Sequence, residues 1–306
     1  MSFLQDTAHT QPNQLIQDEE TKQLLSRSLS YLKTGYPVHF TGPAGTGKTT
    51  LALALARKKR RPVMLIHGNH ELNNRDLIGD FTGYTSKKVV DQYVRTVYKK
   101  DETVTESWQN GRLLEAAMNG YTLVYDEFTR SRPTTNNIFL SILEENIIPL
   151  YGTKSTKPFE RVHPSFSIIF TSNPAEYAGV YQAQDALWDR LITIPIPDLK
   201  AEQEAKLIAE KCEVDPEEAN EITRIVRKLR TSCEKSQQPG PSLRASLMIG
   251  QLAQEEDILI DGKDEDFQQL CLDILNYTLS LCMDSDAPLQ EAEELIVKTC
   301  KNPEAS

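Results

Sequence analysis

Short, mostly apolar runs alternate with segments of helical period over the first two thirds of this chain. Val38 to Thr41, Val63 to His67, Thr122 to Tyr125, Ser167 to Thr171 and Ile192 to Ile196 keep their apolar character from one residue to the next, as strands buried on both faces do. Between them, Thr50 to Lys59, Asn110 to Asn119, Thr134 to Glu145 and Gln184 to Arg190 place apolar residues at helical spacing. The alternation predicts an α/β fold around a mostly parallel sheet, whose ligands sit at the carboxyl ends of its strands. A further helix, Leu15 to Leu32, leads into this region and stops at Thr34-Gly35.

Two stretches interrupt the alternation. Asn69 to Ser107 contains Gly79, Gly83 and the ambiguous segment Val89 to Tyr98; Ile147 to Pro164 contains Pro149, Gly152, Pro158 and Pro164 and reads as a hairpin. Both are read as insertions. Beyond Pro195-Ile196-Pro197 come long polar helices: Ala201 to Lys211, Pro216 to Glu234, Ser242 to Glu255, Asp264 to Met283 and Pro288 to Lys301, broken once at Gln237-Gln238-Pro239-Gly240-Pro241. The expected division is a polar tail and helix over residues 1–35, an α/β core over 36–199 and an all-helical domain over 200–306.

Composition narrows the class. A chain of 306 residues suits one large or two modest domains with a sizeable core. Met1 to Gln14 is polar and makes neither a signal nor a transit peptide, and Leu51 to Ala56, the most apolar run, is far too short to span a membrane. The five cysteines all lie in the last third without a C-x-x-C pair, which predicts free thiols and a reducing cytoplasm. Residues 200–306 hold 12 Lys and Arg against 23 Asp and Glu, which argues against a nucleic-acid grip there. The one dense basic run, Arg57 to Arg61, ends a predicted helix, where cations complement the helix dipole.

The chemistry begins at Gly42-Pro43-Ala44-Gly45-Thr46-Gly47-Lys48-Thr49, which matches the phosphate-binding pattern G-x-x-x-x-G-K-[ST] between a predicted strand and a predicted helix that opens at Thr50. Glycines let several backbone N–H groups converge on one anion, Lys48 supplies charge to the β- and γ-phosphates, and Thr49 offers a hydroxyl to Mg²⁺. About 77 residues later, the apolar strand Tyr121 to Tyr125 ends in Asp126-Glu127. Successive strand residues face opposite ways, so Asp126 can hold Mg²⁺ while Glu127 orients and deprotonates the attacking water. A third predicted strand runs into Asn173, so the loop, the carboxylates and Asn173 are expected at one crevice. His67-Gly68-Asn69-His70-Glu71 follows a strand and contains Gly, so it lacks the helical i, i+4 geometry of a zinc site.

Together with Leu187-Trp188-Asp189-Arg190 and Gly240-Pro241-Ser242-Leu243-Arg244-Ala245, these motifs resemble, in order, those of the AAA+ ATPases, most closely the MoxR branch. Within that branch, Leu123 to Pro133, Phe170 to Pro174 and Glu176 to Val180 are similar to the gas vesicle ATPases. The similarity covers residues 36–199 well and the C-terminal helices loosely. It implies a P-loop NTPase core with a helical lid that hydrolyses ATP with Mg²⁺. It also implies that Asn173 is the polar sensor of the γ-phosphate or lytic water, that Arg190 is an arginine finger acting on a neighbouring subunit, and that Arg244, on a helix capped by Ser242, is a second sensor on the lid. Arg130 and Arg132 are rival fingers, and Arg190 could instead pair with Asp185 or Asp189 on its own helix.

The resemblance further implies a homo-oligomeric ring, expected to be a hexamer. It would remodel other gas vesicle proteins in the cytoplasm or at the vesicle, without nucleic acid or membrane as partner. Phe81, Tyr84 and Tyr151 in the two insertions would be aromatic contacts for a pore or partner. Two other readings use the same hydrolytic site: a MoxR-type chaperone that matures another protein or metal-enzyme complex, and a nucleic-acid motor, which only Arg57 to Arg61 favours.

Overall fold

The computed structural model describes residues 19–85, 105–150, 158–173, 185–233, 236 and 240–301. Val89 to Tyr98, Tyr151, Glu176 to Val180, Gln237 to Pro239, residues 15–18 of the expected first helix, and the side chains of Phe81 and Tyr84 lie outside the described residues.

The core alternates as expected: α1 (Glu19–Lys33), β1 (Val38–Thr41), α2 (Lys48–Lys58), β2 (Val63–His67), α3 (Asn74–Ile78), β3 (Gly79–Thr85), β4 (Thr105–Asn110), α4 (Arg112–Asn119), β5 (Thr122–Asp126), a short 3-10 turn (Phe128–Arg130), α5 (Pro133–Asn136), α6 (Ile138–Glu145), β6 (Ile147–Pro149), β7 (Phe159–Arg161), β8 (Ser167–Ser172), α7 (Asp185–Trp188) and β9 (Ile192–Pro195). Five strands form one sheet in the order β2-β5-β8-β1-β9, and every pairing is parallel. Each strand keeps its alternate side chains on opposite faces. Leu123, Tyr125, Ile168 and Phe170 pack on one side with Phe128 and Phe139, while Val38, Phe40, Val124 and Ile169 pack on the other against Leu25, Leu32, Leu51 and Leu55. Tyr125, Phe128, Phe139 and Phe170 are fully buried, and each such side chain stabilises the fold by about 2 kcal/mol.

Both insertions contain two-stranded antiparallel pairs, β3 with β4 and β6 with β7. The single helix expected over Thr134 to Glu145 is two pieces. Asn136, at their junction, turns inward, accepting from the Tyr125 hydroxyl at 3.0 Å and donating to the Phe128 carbonyl at 3.1 Å. That buried tie offsets the loss of a continuous helix.

Helices α8 (Ala201–Cys212), α9 (Pro216–Ser232), α10 (Leu243–Glu255), α11 (Glu265–Ser280) and α12 (Pro288–Lys301) enclose a separate hydrophobic cluster that includes Ile208, Ile222, Val226, Ile249, Phe267, Leu275 and Ile296. Glu204 is buried among them and accepts from Arg227 Nη1 at 3.1 Å, Arg230 Nη2 at 3.0 Å and Ser246 Oγ at 3.2 Å, joining α8, α9 and α10. Arg230 Nε also donates to the Pro241 carbonyl at 2.7 Å, just before α10 begins.

One expectation is corrected. The cysteines are not all free thiols: Cys233 and Cys282 form a disulfide, while Cys212, Cys271 and Cys300 are free and buried. The pair lies 49 residues apart in sequence, Cys233 following the end of α9 and Cys282 the end of α11. Among the described residues no helix is long and apolar enough to cross a membrane.

Candidate active site

At Thr41 the chain leaves β1, turns through Gly42 to Gly47 and enters α2 at Lys48. A Cβ on Gly42 would stand 2.2 Å from the Ile196 carbonyl, so only glycine lets the loop pass the end of β9. Gly47 occupies the N-cap of α2 at φ +78 and no side chain caps the helix, which leaves its first N–H groups available to an anion. Lys48 is buried and its Nζ donates to the Pro43 carbonyl.

The β2-β5-β8 register brings Asp126 beside α2. Its Oδ1 accepts from Thr49 Oγ1 at 2.7 Å and from Thr171 Oγ1 at 2.5 Å, while Oδ2 lies 3.4 Å from His67 Nδ1. Asp126 is buried, and a carboxylate taken from water needs such partners. The Thr171 hydroxyl donates to Asp126 and accepts the Glu127 backbone N–H at 3.0 Å, serving both carboxylate residues. Glu127 adopts the left-handed conformation at φ +51, uncommon for a residue with a side chain, and its Oε2 lies 3.0 Å from Arg130 Nε. Gly68 makes this close packing possible: its N–H donates to the Asp126 carbonyl at 2.7 Å, and a Cβ there would overlap the Glu127 carbonyl.

These groups line one cleft of about 860 Å³. Ala44 to Thr50, Asp126, Glu127, Thr171 and Asn173 come from the core, and Arg244 comes from the start of α10 in the helical region. Gly42 and Pro43 form the approach to the loop and are not among the lining residues. Asn173 is buried at the end of β8. Ser242 caps α10 as expected, its Oγ accepting the Arg244 N–H at 3.3 Å. Among the described residues that line the cleft, six cations, Arg27, Lys48, Arg130, Lys200, Lys211 and Arg244, face four carboxylates, Glu20, Asp126, Glu127 and Asp198, an excess suited to a polyphosphate.

Arg190 stands apart. It pairs with Glu144 of α6 and donates to the Ala186 carbonyl, rather than pairing with Asp185 or Asp189, and it does not line the cleft. Arg130 lines the cleft of its own chain, whereas Arg132 does not. Thr171 and the α1 and α8 cations were not singled out from the sequence, and His67 entered it only within the His67 to Glu71 stretch set aside as a zinc site, not as a neighbour of Asp126. Thr171 sits on a strand that was recognised, but a threonine inside an apolar run carries no mark of its partner.

The hard oxygen donors of Thr49 and Asp126, a hydroxyl and a carboxylate side by side, suit Mg²⁺. Residues 37–191, which hold every one of these core groups, match the model of the AAA domain, dynein-related subfamily. The chain is 44% identical over 260 residues to the gas vesicle ATPase GvpN of Ancylobacter aquaticus, spanning 85% of this chain and 72% of that protein. The chain belongs to the gas vesicle ATPase GvpN family. A second member, the gas vesicle ATPase GvpN of Haloferax mediterranei, is 36% identical over 262 residues, covering 85% of this chain and 73% of that one. A RuvB variant of Thermotoga maritima superposes with a TM-score of 0.53 at 15% identity, over 90% of this chain and 75% of its own, a likeness of fold alone. The resemblance read from the motifs is therefore borne out, and the chain is an ATP hydrolase of the AAA type. Arg244 lies outside the matched residues 37–191.

Proposed function

We propose that the cleft binds ATP with Mg²⁺ and that this chain forms a ring, six subunits being the expected number, which uses hydrolysis to remodel other gas vesicle proteins during vesicle assembly. The observation that carries the reading is the Thr49-Asp126-Thr171 cluster, with Glu127, Asn173 and Arg244 lining the same cleft. In this reading residues 36–199 are the ATPase core, 200–306 the lid and 1–35 a leading segment. Its place is the cytoplasm, at or near the vesicle, with neither nucleic acid nor membrane as partner.

Lys48 and the loop N–H groups hold the β- and γ-phosphates. Thr49 and Asp126 hold Mg²⁺, which when bound neutralises charge on those phosphates. Glu127 swings from Arg130 to orient the attacking water and take its proton, and Asn173 hydrogen-bonds the γ-phosphate or that water. Arg244 links the phosphates to the lid. Arg190, on a segment outside its own cleft, reaches the nucleotide of the neighbouring subunit; this position supports a role in trans and favours it over Arg130, which lies in its own cleft.

The test pairs two variants with two partners. Lys48→Ala should lose ATP binding, and Glu127→Gln should bind ATP, form the ring and turn over at least about 100-fold more slowly. The Glu127→Gln ring, held in its ATP state, should retain gas vesicle proteins in co-purification. DNA or RNA that stimulates the wild-type ATPase strongly, in a salt-sensitive way, would overturn the protein-remodelling reading.

A further inference from the structure

His39 sits in the middle of β1, between β8 and β9, on the sheet face that packs against Phe128 and Trp188. It is 1% exposed. Such a position in a parallel sheet ordinarily takes a β-branched apolar residue. Here Nε2 lies 2.9 Å from Ser172 Oγ and Nδ1 lies 3.1 Å from Thr193 Oγ1. Ser172 Oγ in turn donates to Thr41 Oγ1 at 3.2 Å. The result is a line of polar groups, Thr193, His39, Ser172 and Thr41, that crosses three adjacent strands from the exposed Thr193 on the edge strand β9 through the buried His39 and Ser172.

Each contact of this line adjoins a different part of the proposed hydrolytic machinery. Thr41 is followed by Gly42, the first residue of the phosphate loop, and Ser172 is followed by Asn173. Phe128, whose ring meets the imidazole edge-on at 5.4 Å, follows Glu127. Trp188, with its ring 5.1 Å from the imidazole, lies two residues before Arg190, and Thr193 lies three after it. We infer that His39 is a positioning residue for hydrolysis, holding the phosphate loop, Glu127, Asn173 and the Arg190 segment in one register.

Burial lowers the pKa of His39 from 6.5 to about 4, so the ring is neutral at pH 7. One nitrogen then donates and the other accepts. With Ser172 donating onward to Thr41, Nε2–H donates to Ser172 and Nδ1 accepts from Thr193. The opposite tautomer requires the hydroxyls along the line to turn together. The line therefore has two discrete arrangements, which gives a packed element the means to respond to its ends as a unit.

The inference rests on the reading of Glu127 and Asn173 as the hydrolytic pair, so the experiment carries its own control for that reading. His39→Phe keeps an aromatic ring and removes both hydrogen bonds; His39→Gln restores part of the polar line; Ser172→Ala and Thr193→Val cut it on either side without touching the ring. For each, nucleotide Kd is measured by fluorescence titration, the hydrolytic rate by single turnover, and Tm by thermal unfolding, alongside Glu127→Gln and Asn173→Ala. The expected result is a rate at least tenfold lower for His39→Phe and Ser172→Ala, Kd within threefold of wild type, and partial recovery in His39→Gln. A rate within threefold of wild type in the folded variants overturns the inference, and so does a rate that falls only in step with Kd and Tm. If His39→Phe does not fold, Ser172→Ala and Thr193→Val decide by the same criteria. If Glu127→Gln and Asn173→Ala keep their turnover, the site reading itself fails; if they lose it while the His39 set does not, this inference alone fails.

Discussion

Thr49 and Asp126 stand 77 residues apart in sequence, yet the threonine hydroxyl donates to Asp126 Oδ1 at 2.7 Å. The two residues belong to separate motifs, one opening α2 and the other ending β5. Thr171, from β8, donates to the same oxygen at 2.5 Å. Three segments thus meet on one carboxylate oxygen, and each can be tested there or at the groups that support it.

Thr171→Val keeps the side-chain shape and removes the hydroxyl. Asp126 loses a donor and the Glu127 N–H loses its acceptor, just where Glu127 holds its left-handed backbone. Turnover should fall roughly 10- to 100-fold, the equivalent of one or two unsatisfied polar groups. Kd for ATP should stay within about threefold, since the loop contacts survive. Steady-state kinetics with a separate binding titration separates the two; a weakened Kd with an unchanged rate would assign Thr171 to binding instead.

Arg190→Ala should lower turnover by roughly 10³-fold or more if the finger completes a neighbour's site. Mixing Arg190→Ala subunits with Lys48→Ala subunits should restore part of the activity, because each supplies what the other lacks. No recovery across mixing ratios would place the whole site in one chain and return attention to Arg130.

Glu204→Ala leaves Arg227, Arg230 and Ser246 without their shared acceptor in the helical region. Loss of one member of a buried ion cluster should destabilise the protein by about 3 kcal/mol. Urea unfolding measures this. Because Arg230 also holds the Pro241 carbonyl ahead of Arg244, nucleotide affinity should weaken in the same variant even at temperatures where it is fully folded.

His39 should produce an acid limb in stability. Its pKa in the folded protein, about 4, lies below the ordinary 6.5, so the unfolded chain takes up a proton first as pH falls. Stability is therefore complete above pH 6.5, declines between 6.5 and about 4, and levels off below that. The ring's hydrogen-bond and stacking partners are two hydroxyls and two aromatic rings, none of them charged. The loss attributable to this residue is about 3 kcal/mol. Unfolding free energies of wild type and His39→Phe, compared across that range, should diverge by this amount, and parallel curves would contradict the shift.

The sequence by itself determined the phosphate loop, the strand ending in Asp126-Glu127, the parallel sheet and the helical C-terminal third. These depend on local chemistry: glycine spacing, apolar periodicity and capping residues such as Ser242 act within a few positions of chain. The partners of each polar side chain were decided only by the tertiary structure. Thr171 reaching Asp126, Arg190 choosing Glu144, Cys233 meeting Cys282, and His39 joining Ser172 to Thr193 are all meetings of residues distant in sequence. Strand order and helix packing set those distances, because a hydrogen bond or disulfide needs its atoms within a few ångströms while the periodicity of one strand says nothing about which strand lies beside it.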